Sequence, residues 1–112
     1  MARVIITRSL EKKINKAFRK ESIKVFSLLH KLTENPKKGK EISAVGNVVI
    51  KEIKYKKYRF YFITDRYKIK FLSSEELKDL LIKFVRMSGK KDQQIVINEI
   101  KYILRHFDEE SF

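Results

Sequence analysis

Arg59, Tyr61, Lys68 and Lys70 occupy alternate positions in two aromatic and basic runs, YRFYF and YKIKF. Successive residues of a strand point to opposite faces. If both runs are strands, these four side chains share one side, while Tyr58, Phe60, Phe62, Tyr67, Ile69 and Phe71 form the core side. The run before them, VVIKEIKY, adds either Lys54 or Lys51 to the basic side, depending on its register. Cationic heads set among aromatic rings suit a phosphate backbone with unpaired bases. The expectation from these residues is an RNA-binding sheet face, although packing within the sheet is the stronger expectation for Tyr61 than base stacking.

Other chemistries find little support. The chain shows no paired carboxylates, no Ser/His/Asp set and no glycine-rich phosphate loop. It has no cysteine, which excludes disulfides, thiolate chemistry and Cys-based metal sites. His30 and His106 are far apart in sequence and read as helix-surface residues; a zinc site would need more ligands. Neither a metal nor a small-molecule cofactor is expected.

Charge points the same way. The 112 residues carry 27 Lys and Arg against 14 Asp and Glu, a formal net charge of +13. Between Pro36 and Lys70 there are 11 basic and 3 acidic residues, so most of the excess sits in the segment holding the proposed sheet. Such an imbalance favours an anionic partner, nucleic acid or an acidic protein, over a membrane. No apolar run reaches the length of a membrane span and no signal-peptide core opens the chain, so a cytoplasmic location is expected.

The elements that must position these residues form one domain over 1–107, with 108–112 an acidic tail expected to fray. Residues 3–7 (RVIIT) read as a buried strand, and Ser9 as the cap of the helix that follows. Leu10, Ile14, Ala17 and Phe18 recur at helical spacing, and a second pattern through Ile23, Phe26, Leu29 and Leu32 or close neighbours follows a break near 19–22. Two amphipathic helices, an α-hairpin, result. Pro36 ends the second near Asn35, and a loop over 35–47 carrying Lys37, Lys38 and Lys40 leads into the three antiparallel strands of 48–72. Beyond them, Ser73 and Glu76 have capping-box spacing, and Leu77, Leu80, Leu81, Phe84 and Val85 fit one helix to about Met87. A last helix runs from about Asp92 to His106, with Val96, Ile100, Ile103, Leu104 and Phe107 along one stripe.

In this order the chain resembles the RelE/ParE superfamily of bacterial and archaeal toxins. LTENPKKGKEISAVGN is similar to that family's helix exit, IKEIKYKKYRFYF to its basic strand, turn and Tyr-Arg with alternating aromatics, and IKFVRMSGKKDQQ to the strand, Lys-Lys and Gln of the HigB branch. The resemblance implies an α+β fold in which an N-terminal strand and two-helix hairpin pack on an antiparallel meander closed by a C-terminal helix. It also makes 82–87 a strand, and that reading is preferred to the helical periodicity. Two features depart from the family: SSEELKDLL looks inserted, and the tyrosine that RelE enzymes place early in the last helix is replaced by Ile97, with Tyr102 too far along to substitute.

The activity that the resemblance implies is cleavage of messenger RNA, usually on the ribosome, by attack of a ribose 2′-hydroxyl on the adjacent phosphate without metal. In that scheme Arg59 holds the phosphate, Lys54, Lys90 and Lys91 serve as further phosphate ligands or proton carriers, and Lys51, Tyr61, Lys68, Lys70 and Arg86 bind the RNA. For Lys90 and Lys91 an exposed pair at a helix start is an equal expectation. The implied partners are messenger RNA, the ribosome and a cognate antitoxin protein, with no membrane. Two rival functions share the charge: a ParE-like or inactive toxin that acts by binding a protein, and a small basic nucleic-acid-binding protein.

Overall fold

Thr7, not Ser9, starts the first helix. Its Oγ1 accepts a hydrogen bond from the Leu10 amide at 3.3 Å, satisfying one of the amides a helix leaves free at its start. In the computed structural model, which describes residues 1–112, β1 (Arg3–Ile6) leads into α1 (Arg8–Phe18), whose Leu10, Ile14 and Phe18 are buried at a spacing of four. Arg19 then turns the chain with a positive φ of 50°, and Ser22 ties back to its carbonyl at 2.6 Å as α2 (Ser22–His30) begins. α2 buries Val25 and Leu29, and Leu32 follows from a short 3₁₀ turn.

The segment expected as a loop over 35–47 holds a strand, β2 (Lys40–Val45), which pairs antiparallel with β3 (Val48–Tyr55). Gly39 enters it at φ +109°, with the Phe62 ring within 2.9 Å of where a Cβ would stand, so no larger residue fits without moving that ring. A two-residue turn at Lys56 and Lys57 joins β3 to β4 (Tyr58–Asp65), in the register Lys54 opposite Arg59 and Glu52 opposite Tyr61. Glu21 fastens this turn from outside, receiving bonds from Lys56 Nζ at 2.7 Å and the Tyr55 hydroxyl at 2.9 Å.

The third strand of the expected meander is a helix. Asp65 Oδ1 accepts from the Lys68 amide, and Asn47 binds both Asp65 and the Tyr67 amide, so β4 ends and α3 (Arg66–Phe71) starts at once. Ile69 alone of the three alternating apolar residues turns inward, leaving Tyr67 and Phe71 exposed. Ser73 and Glu76 do form the reciprocal capping pair, but around a single 3₁₀ turn at Glu75–Leu77. β5 (Leu81–Ser88) follows, as the resemblance implied and the periodicity did not. The helical spacing arises because β5 is buried on both faces and bulged: Tyr61 pairs with Arg86 and Phe62 with Phe84, so Val85 is an extra residue.

The sheet is mixed, not antiparallel throughout. Its order is β1-β5-β4-β3-β2, with β1 parallel to β5 and the remaining pairs antiparallel. One face packs Phe60, Phe62, Ile82 and Phe84 against α1 and α2. The other was expected to lie open, yet α4 (Gln93–His106) covers it, setting Ile97 and Ile100 over Ile50, Tyr61, Ile63 and Val85. Its buried stripe is turned toward Ile97, and Phe107 is exposed. The tail is docked: Lys83 Nζ donates to the Glu109 carbonyl at 2.8 Å, and Phe112 joins the second core beneath the Arg86 guanidinium. The architecture is α+β, with helices on both sides of a five-stranded sheet.

Candidate nucleic-acid interface

Strand register decides which of the expected residues meet. Arg59 lies between Lys54 of β3 and Ser88 of β5, and Tyr61 between Glu52 and Arg86, all on the α4 side. Register thus selects Lys54 over Lys51. Lys51 points to the opposite face, is 4% exposed, and donates to the Lys37 carbonyl at 3.0 Å while lying 5.8 Å from the centre of the Phe62 ring. Burial holds its pKa below the ordinary lysine value, partly offset by Glu41. It clamps the loop before β2 and offers no surface to RNA.

Tyr61 is likewise removed from solvent. Its hydroxyl shares a 2.9 Å hydrogen bond with Ser88 Oγ, and burial, followed by the nearby Glu52, raises its pKa against the opposing effects of Ser88 and Arg59. The ring packs beneath α4, so base stacking is closed to it. Arg86 is committed as well: Nε donates to Glu99 Oε1 and Nη1 to the Val85 carbonyl, both at 2.7 Å.

Arg59 and Glu52 are the unsettled pair. Nε and Oε2 are 3.7 Å apart, both shielded from solvent and both without a hydrogen bond. A buried guanidinium and carboxylate that leave donor and acceptor unused carry a desolvation cost which a better-placed anion or proton donor would relieve. Sequence reasoning passed over Glu52. Only the β3 register reveals that it shares a face with Arg59.

Other expected cations stand at opposite ends of the strands. At the Arg59 end, Lys54, Lys56, Lys57, Lys90 and Lys91 are all exposed, the last two in the loop between β5 and α4. Gln93 Nε2 donates to the Lys90 carbonyl at 3.0 Å and fixes that loop to the first turn of α4. Lys68 and Lys70, placed on the same face by the sequence, belong to α3 beyond the other end of β4. The six residue steps from Arg59 to Asp65 put them about 20 Å away. Lys68 there lines a cleft of about 350 Å3 together with Lys83 and the carboxylates of Asp65, Asp79, Glu109 and Glu110.

His30 and His106 end α2 and α4 on the surface, and Tyr102 is exposed on α4 with its ring 4.3 Å from that of His106. No group of three or more His, Asp and Glu side chains is arranged to hold a metal ion. No helix is long and apolar enough to cross a membrane. No family model, curated protein or solved structure matches the chain. The functional reading therefore rests on these side chains and on the polarity of the strand ends.

Proposed function

We propose that this chain is a RelE-like ribonuclease, the toxin of a type II toxin–antitoxin pair, which cleaves messenger RNA at the Lys54–Arg59 end of its sheet. The observation that carries the reading is the cross-strand pairing of Lys54 with Arg59, next to the Ser88 strand end from which Lys90 and Lys91 emerge. The coarse α+β architecture and the sequence of an N-terminal strand, two helices, antiparallel strands and a closing helix support the reading, while the mixed sheet and α3 depart from the implied meander.

In this reading a phosphodiester enters between the Lys54 edge and the loop before α4. Arg59 turns part of its guanidinium from Glu52 to two phosphate oxygens, a grip that its planar donors suit. Glu52, beside it, takes the proton of the attacking 2′-hydroxyl. A 2′,3′-cyclic phosphate forms as the bond to the 5′-oxygen breaks, and Lys90 or Lys91 gives that oxygen a proton. Lys54 adds charge where the pentacoordinate phosphate becomes more negative.

A second reading takes support from the same pair. Arg59 has a side-chain exposure of 13% and faces a carboxylate, which suits a chain that binds and does not cut. Mapping RNA 5′ ends after induced expression in a heterologous host separates the two. New ends that disappear in Arg59→Lys support cleavage, whereas growth arrest without new ends supports binding alone.

A further inference from the structure

At the Arg59 end, on the side of the sheet facing α1, a cleft of about 500 Å3 opens between that helix and the exit of β5. Ala17 is exposed in its wall and leaves room where a longer side chain would fill it; Tyr58 and Met87 supply half-buried apolar surface. The Tyr58 ring is held edge-to-face by Phe18, with centroids 5.0 Å apart. Lys13 and Lys16, one helical turn apart on α1, stand at the rim. Asp92 completes it. That residue occupies the cap position of α4, yet its carboxylate bonds no helix amide and pairs with no cation.

An apolar wall, two ammonium groups and an uncommitted carboxylate are the complement of a nucleotide: a flat base, flanking phosphates and an exocyclic amine. We infer that the cleft receives one unpaired base of single-stranded RNA, packed against Tyr58, Ala17 and Met87, with an amino group donating to Asp92. Lys13 and Lys16 hold the neighbouring phosphates. The inference rests on the RNA reading above and deepens it, because a carboxylate acceptor selects amino-bearing bases over uracil, which offers a carbonyl at the corresponding position. The volume suits one nucleotide, within the range of small-ligand sites.

The test is binding of labelled short oligocytidylate and oligouridylate, followed by fluorescence anisotropy across a salt series. Wild type binds the cytidylate about tenfold more tightly, and Asp92→Asn abolishes that preference, since an amide also donates to the uracil carbonyl. Ala17→Phe fills the cleft and weakens cytidylate about tenfold, the effect of one lost base contact. Thermal melting confirms that this surface variant folds. Lys13→Ala with Lys16→Ala lowers the salt slope, while the equal-charge change of Lys12→Ala with Lys20→Ala leaves it nearly unaltered. Equal binding of the two oligomers, an unchanged preference in Asp92→Asn, or unaltered affinity in Ala17→Phe overturns the cleft while salt-sensitive binding leaves the RNA reading standing. Absence of salt-sensitive binding by wild type overturns both.

Discussion

Arg59 Nε and Glu52 Oε2 are buried 3.7 Å apart on adjacent strands, and neither atom has a hydrogen bond. The ion pair therefore leaves a buried donor and a buried acceptor unsatisfied, an arrangement with free energy to gain from an incoming phosphate. Arg59→Lys keeps the charge opposite Glu52 but loses the planar pair of donors. RNA cleavage, measured by single-turnover kinetics, is expected to fall by about two to three powers of ten. Wild-type rates in that variant would reduce Arg59 to a structural cation.

Glu52→Gln tests the other partner. Removing the carboxylate strands a guanidinium in a site with little water, and chemical denaturation is expected to show a loss of about 3 kcal/mol. Cleavage falls too if Glu52 accepts the hydroxyl proton, and the fall persists at temperatures where the variant is fully folded. A variant as stable and as active as wild type would show the pair to be incidental.

The division of charge between strand ends yields a comparison of two surfaces. Lys54→Ala with Lys90→Ala and Lys91→Ala removes three contacts at the Arg59 end, so the slope of log affinity against log salt for single-stranded RNA should fall by roughly two, at about 0.7 per contact. Lys68→Ala with Lys70→Ala should leave it nearly unchanged, because both residues lie on α3 beyond the far end of β4, Lys68 beside four carboxylates. If the second pair changes the slope more than the first set, the RNA runs over α3 instead.

Lys51 supplies a pH test with a defined sign. Its pKa is lowered in the folded protein, so between that value and the ordinary lysine range the unfolded chain binds the extra proton, and stability rises with pH. Lys51→Met removes this term. Wild type should gain on the variant in denaturation midpoint as pH climbs from neutrality toward 10.5; parallel curves would show that Lys51 is solvated.

Ile100→Ala measures the covered face. Ile100 is fully buried over Ile50, Tyr61, Ile63 and Val85, so its truncation should cost about 2–5 kcal/mol in urea unfolding. A cost below 1 kcal/mol, the scale of a surface change, would mean that α4 does not pack there.

How much of this was legible in the residues depends on the range of the interaction that decides each element. Leu10, Ile14 and Phe18 on α1, the break after Phe18 and the stop near Pro36 follow from spacing and local backbone chemistry, and all appear. α3 was not legible, because YKIKF alternates like a strand and its fate turns on Asn47, distant in sequence, gripping Asp65. β5 was ambiguous for a different reason: with Phe84 on one face and Val85 bulged onto the other, its apolar run imitates a helix. At the candidate site, residue types and alternation put Arg59 on the basic side but left Lys54 and Lys51 as alternatives, and the roles given to them came from the resemblance. Glu52, Ser88 and Asp92 were not, since their meaning lies in cross-strand neighbours and in a cap position left unused.

The pairing of β1 with β5 also sets a schedule for synthesis. The β3–β4 turn that brings Lys54 to Arg59 is local and can close soon after it is made, but Arg3 waits for Leu81 before the edge of the sheet exists. At about 5–20 residues per second, that wait lasts several seconds. Until then Ile82 and Phe84 are missing from the main core, and neither α1 nor α2 has its full floor. The nascent chain thus carries its cationic turn before it has a rigid scaffold behind it, and rigidity arrives only once β5 has been made.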